Sequence, residues 1–139
     1  MDMEISPEIC AKVMSSTSVA IWPIDENPLS ESFQTARYFQ DQGWRVYPVH
    51  DWIDRICDEL CYRDIRLIPD DYDILALFIH PDKLAEVVNS IFNADYIPPV
   101  VWAHTGILDL EQLDRLREAG IMAVMDRNLM ETHKEWCRL

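Results

Sequence analysis

Glycine is nearly absent, with three residues in 139: Gly43, Gly106 and Gly120. No GxGxxG or Walker loop can be written with them, since both need closely spaced glycines so that backbone N–H groups can approach a phosphate. Bases are scarce too. Twelve Lys and Arg stand against 25 Asp and Glu, a formal net charge of −13. So acidic a surface repels phosphate backbones and excludes nucleic acid as a partner. No apolar run approaches the length of a membrane span, and no signal-peptide pattern opens the chain. The expected location is therefore the cytoplasm, with no membrane partner. No Ser-His-Asp or Cys-His arrangement at a plausible spacing appears, so nothing marks a catalytic nucleophile and an enzyme is not the favoured class. The four cysteines, Cys10, Cys57, Cys61 and Cys137, are expected to be reduced. Cys57 and Cys61 offer two metal ligands at most and are read as packing residues.

What is present is an alternation of strands and helices. Residues 18–22 form a short apolar run suited to a strand buried on both faces. The loop 23–31 holds Pro23 and Pro28, residues 32–42 have helical composition, and Gly43 stands where a left-handed residue ends a helix. Residues 44–49 make the second strand. Strand, helix and strand at these lengths are a βαβ unit, which implies a parallel sheet. Apolar spacing at 52, 53, 56, 57, 60 and 61 predicts another helix, with Cys57 and Cys61 on its inner stripe. Residues 74–79 read as a central third strand. Pro81-Asp82 opens a helix with Leu84, Val87, Val88 and Ile91 on one face. Residues 100–103 form the fourth strand, Asp109 caps the next helix, Gly120 ends it, and 121–125 form the fifth strand. A terminal helix is expected from Leu129, and an N-terminal one from Ser6-Pro7-Glu8. The fold class is thus α/β: a single Rossmann-like, doubly wound, five-stranded parallel sheet with helices on both faces. Residues 1–17 supply an N-terminal helix and connection, and residues 18–139 the domain itself.

Val19-Ala20-Ile21, Ala36-Arg37-Tyr38, the run Gly43 to Val49, Val101-Trp102, Ala119-Gly120-Ile121 and Val124-Met125-Asp126-Arg127 together resemble the small, stand-alone CoA-binding domain proteins. These are similar to the CoA-binding domain of the succinyl-CoA synthetase alpha subunit. The resemblance runs from residue 19 to residue 133 and implies CoA or a related adenine nucleotide as ligand. It also carries departures. Where the family has a glycine and then a serine after strand one, this chain has Pro23 and Asp25. His50-Asp51, Ile79-His80 and His104 replace the Asn-Pro, arginine and glutamine usual after the next three strands.

Ligands of such sheets lie at the carboxyl ends of the strands, beside the point where strand order reverses. The candidate ligand-binding residues are therefore Trp22, Pro23, Asp25, Ser32, His50, Asp51, His80, His104 and Gly106. Trp22 and Trp52 could stack a flat ring. Asp51, after strand two, is placed to hold ribose hydroxyls, and the three histidines could converge on the cleft. No catalytic or metal residues are assigned. Asp126-Arg127 reads as an internal ion pair, and His133 as structural. The first alternative is a diverged member that has lost nucleotide binding and acts as a protein-interaction module. A histidine-dependent enzyme or metal site in the same cleft is a further one. Homodimerisation is expected, as in other small parallel-sheet domains.

Overall fold

A computed structural model describes residues 5–138. The sheet has five strands, β1 (Ser18–Trp22), β2 (Arg45–Pro48), β5 (Ile74–Leu77), β6 (Val100–Ala103) and β7 (Met122–Val124), all parallel in the order β2-β1-β5-β6-β7. Strand order reverses between β1 and β5. From β1 the chain winds through α2 (Glu31–Asp41) to β2 on one side. From β5 it winds through α3 (Leu84–Phe92) and α4 (Leu110–Glu118) to β6 and β7 on the other. α1 (Pro7–Met14) and α5 (Leu129–Cys137) complete the helices.

Alternation along the strands builds two cores. Ala20, Leu75, Leu77 and Val101 face α3 and α4, meeting Leu84, Val88, Ile91 and Leu116. Val19, Ile21, Ile74 and Trp102 face the other way, toward Val13 of α1, Phe39 of α2 and Leu129 of α5. Each fully buried aliphatic side chain contributes about 1.5–3 kcal/mol. The caps expected at Ser6 and Asp109 form, and Ser30 adds one at the start of α2. Ser6 Oγ accepts from the Ile9 N–H, Ser30 Oγ from Phe33, and Asp109 Oδ1 from Glu111 and Gln112. Gly43, with φ +85°, turns the chain out of α2 as a left-handed residue must. Among the described residues no helix is long and apolar enough to cross a membrane.

One expected element is wrong. Residues 52–62 form no helix but a small antiparallel hairpin, β3 (Arg55–Ile56) and β4 (Glu59–Leu60). Its turn residues Cys57 and Asp58 both have positive φ, 53° and 63°, the signs a two-residue type I′ turn needs. The apolar spacing suits either structure, and tertiary bonds decide between them. His50 N–H donates to the Tyr62 carbonyl and Tyr62 N–H to that of Pro48, so this segment covers the open edge of β2. Gln40 Nε2 holds the turn from α2 through the Cys57 carbonyl at 2.7 Å. Cys61 is buried and Cys57 half-buried, both as free thiols, on a hairpin and not on a helix stripe.

The third strand of the expected sheet also ends earlier than its apolar run does. Phe78 and Ile79 follow the strand's end at Leu77, Phe78 packing against the core on the α1, α2 and α5 side and Ile79 against the other core.

Candidate functional site

At the carboxyl edge a cleft of about 380 Å³ opens beside the reversal point, lined by Trp22, Pro23, His50, Asp51, Trp52, Ile79, Lys83, Glu86 and Val87. Four loops or helix starts contribute to it. Trp22 and Pro23 leave β1, joined by a cis peptide bond. His50, Asp51 and Trp52 follow β2, Ile79 follows β5, and Lys83, Glu86 and Val87 come from the start of α3 and the 3-10 turn before it. Trp52 is 72% exposed and stands edge-on to the His50 ring, centroids 4.3 Å apart. Lys83 Nζ lies 3.9 Å from a Glu86 carboxylate oxygen. The cleft therefore joins two indoles and an imidazole with one base and two acids. Two further grooves, of about 450 and 500 Å³, lie along α5.

The candidate residues divide into two groups. Trp22, Pro23, His50 and Asp51 line the cleft together. The rest act inside the loops around it. Ser32 is buried at the start of α2, and its Oγ accepts from the Asp25 N–H at 3.0 Å. Asp25 Oδ1 accepts from Asn27, and Asn27 Oδ1 from Leu29. With Ile24 N–H bonded to the Val49 carbonyl and Ser30 N–H to that of Asn27, the first loop satisfies most of its own donors. Gly106 N–H donates to Asp126 Oδ1 at 2.8 Å, so Asp126, itself at φ 59°, ties the fourth loop to the fifth.

The three histidines do not converge. His50 Nδ1 accepts from the N–H groups of Trp52 and Ile53, and His80 Nδ1 from that of Asp82, so both cap turns. His104 lies over the Phe78 ring at 4.5 Å and pairs through Nε2 with the carboxylate of Glu31, the first residue of α2. That pair spans the sheet edge from β6 to the start of α2. Lys83 and Glu86 were not among the candidates. Their signal was available, since the Pro81-Asp82 helix start places the next turn directly after a strand.

His133 is a structural residue. It is buried against Phe39 and Trp44 and lies 2.7 Å from the Tyr38 hydroxyl, which joins α5 to α2. Burial pushes its pKa below the ordinary imidazole value. As pH falls, the unfolded chain therefore takes up this proton first, near pH ~6.5. The stability from neutral His133 is whole above that pH and is lost below it, at up to about 1.4 kcal/mol per pH unit. Urea unfolding at roughly pH 7.5 and 5.5 tests this. The His133→Gln variant should lose less stability between the two than the parent, and equal losses would contradict the assignment.

Comparison with known proteins agrees with this architecture. The model of a family described as a CoA binding domain matches residues 17–134. The uncharacterized protein YneT of Bacillus subtilis (strain 168) is 25% identical over 126 residues, 91% of this chain and 92% of its own. The solved structure of cell-free ID.343 from Thermus thermophilus is 30% identical with a TM-score of 0.79, covering 93% of this chain and 96% of that one. A hypothetical protein from Pyrococcus horikoshii OT3 shares the fold at 22% identity, with a TM-score of 0.85 and 99% of each chain covered. A dinucleotide-forming acetyl-coenzyme A synthetase 1 of Ca. Korarchaeum cryptofilum, solved with phosphate and ADP, shares it at 19% identity and a TM-score of 0.63, over 78% of this chain and 25% of that one.

Proposed function

The chain belongs to the CoA binding domain family, and from that premise we propose that it binds coenzyme A or a related adenine nucleotide at the carboxyl edge of its sheet without catalysing a reaction on it. The observation that carries this reading is the cleft itself, where Trp22, Trp52, Asp51 and Lys83 meet beside the point of strand reversal. Each has a role in holding such a ligand. The indoles offer faces on which an adenine can stack. Asp51, following β2, accepts from ribose hydroxyls. Lys83 supplies positive charge to a phosphate.

Calorimetric titration with CoA, ADP and AMP tests the reading. At least one should bind, and Trp52→Ala should weaken it about fivefold, equivalent to about 1 kcal/mol. Binding that is indifferent to Trp52 would move the site elsewhere.

A second reading is favoured by the first loop. Its donors are already bonded to Ser32, Asp25 and Asn27 within the protein, as befits a member that has given up nucleotides and serves as a protein-interaction module. The absence of heat with all three ligands would favour it.

A further inference from the structure

The usual place for a phosphate in a parallel α/β domain is the start of the helix after β1, where N–H groups without helical partners point outward. Here that place is filled by the protein. Ser30 takes the Phe33 N–H through its hydroxyl and that of Gln34 through its carbonyl. Glu31 then brings a carboxylate to the same helix end, held by His104, whose ring rests on Phe78. An incoming phosphate would have to displace a fixed negative charge. The loop leading to that helix adds Asp25 and Glu26, both exposed.

The cleft on the other side of β1 differs in having a base. Lys83 is the one Lys or Arg in its lining, set against Asp51 and Glu86. One ammonium group can meet one phosphate, while each further phosphate adds negative charge facing those two acids. The volume of about 380 Å³ also lies near the lower end of the roughly 300–1,000 Å³ typical of ligand pockets. It suits a nucleoside with a short tail better than a pantetheine arm.

We infer that the ligand of this cleft is a nucleoside monophosphate, with its base between Trp22 and Trp52, its ribose on Asp51 and its single phosphate on Lys83. CoA, with its pyrophosphate and additional ribose phosphate, is the poorer ligand. This inference rests on the nucleotide reading above and narrows it.

Titration of the full chain with adenosine, AMP, ADP and CoA at one fixed ionic strength tests it. AMP should bind at least fivefold more tightly than CoA and more tightly than adenosine. Lys83→Ala should cost AMP at least fivefold, and Lys83→Arg should restore most of that loss. CoA binding as tightly as AMP or more so would overturn the inference while leaving the nucleotide reading intact, as would AMP binding unaffected by Lys83→Ala. No binding of any of the four would remove both.

Discussion

Replacing Asp73 with alanine lowers the unfolding free energy by about 3 kcal/mol, because two hydrogen bonds to a carboxylate are lost together. Asp73 Oδ2 accepts from the Thr17 N–H at 2.8 Å and from Ser18 Oγ at 3.1 Å, while Ser18 Oγ accepts from the Asp73 N–H at 2.9 Å. Lys12 Nζ of α1 lies 3.6 Å from the other carboxylate oxygen. The carboxylate thus fastens the starts of β1 and β5, the two strands on which both windings begin, and adds a contact to α1. Denaturant unfolding at neutral pH should show the loss as a lower midpoint with an unchanged slope. Asp73→Asn keeps an oxygen acceptor and should lose only about half as much. A stability change under about 0.5 kcal/mol in the alanine variant would mean that the strand starts are held by their ladders alone.

Opening the first loop should raise the affinity for CoA. In Pro23→Gly/Asp25→Ser, residue 23 gains an N–H, the loop loses a carboxylate, and the Asn27 N–H loses the acceptor it now has in Asp25. Two unit charges about 6 Å apart at an effective dielectric of about 20 interact by roughly 3 kcal/mol. Removing one repulsive acid near a phosphate is therefore a substantial change even after solvent screening. We expect at least a tenfold gain, about 1.4 kcal/mol, measured by calorimetry against the parent chain. An unchanged or weaker affinity would show that the charge and backbone of this loop do not limit CoA binding.

Much of the fold was legible because its signals were local and redundant. Residues 18–22 and 100–103 coincide with β1 and β6, since a strand buried on both faces leaves an unbroken apolar run. Ser6, Asp109 and Gly43 bound helices for reasons that lie within a few residues. The hairpin at 55–60 was not legible. Its apolar spacing fits a helix, and what selects a hairpin is the unpaired edge of β2 together with Gln40 of α2, both distant in sequence. The site followed the same division. Trp22, Pro23, His50 and Asp51 line one cleft because strand ends fix their positions. The histidines were not brought together. Each imidazole had a nearer partner, two of them backbone N–H groups in the next turn and the third Glu31. The helix start after β5 was legible at Pro81-Asp82, but which residues of its first turns, Lys83 and Glu86 among them, face the cleft is set by how α3 packs on the sheet.

The hairpin that covers β2 also makes Cys61 a gauge of local opening. Its side chain is buried, and burial pushes the thiol up to about 11. At neutral pH a thiol of that pKa is ionised in only about one molecule in ten thousand, and the thiolate is the form that alkylating reagents attack. Cys137 lies exposed on the last turn of α5 and has no such shield. Alkylation should therefore mark Cys137 early and Cys61 only when the segment alongside β2 lifts away. The delay between the two measures how firmly that edge is closed, and a ligand bound against Trp52 and Asp51, a few residues away, would lengthen it.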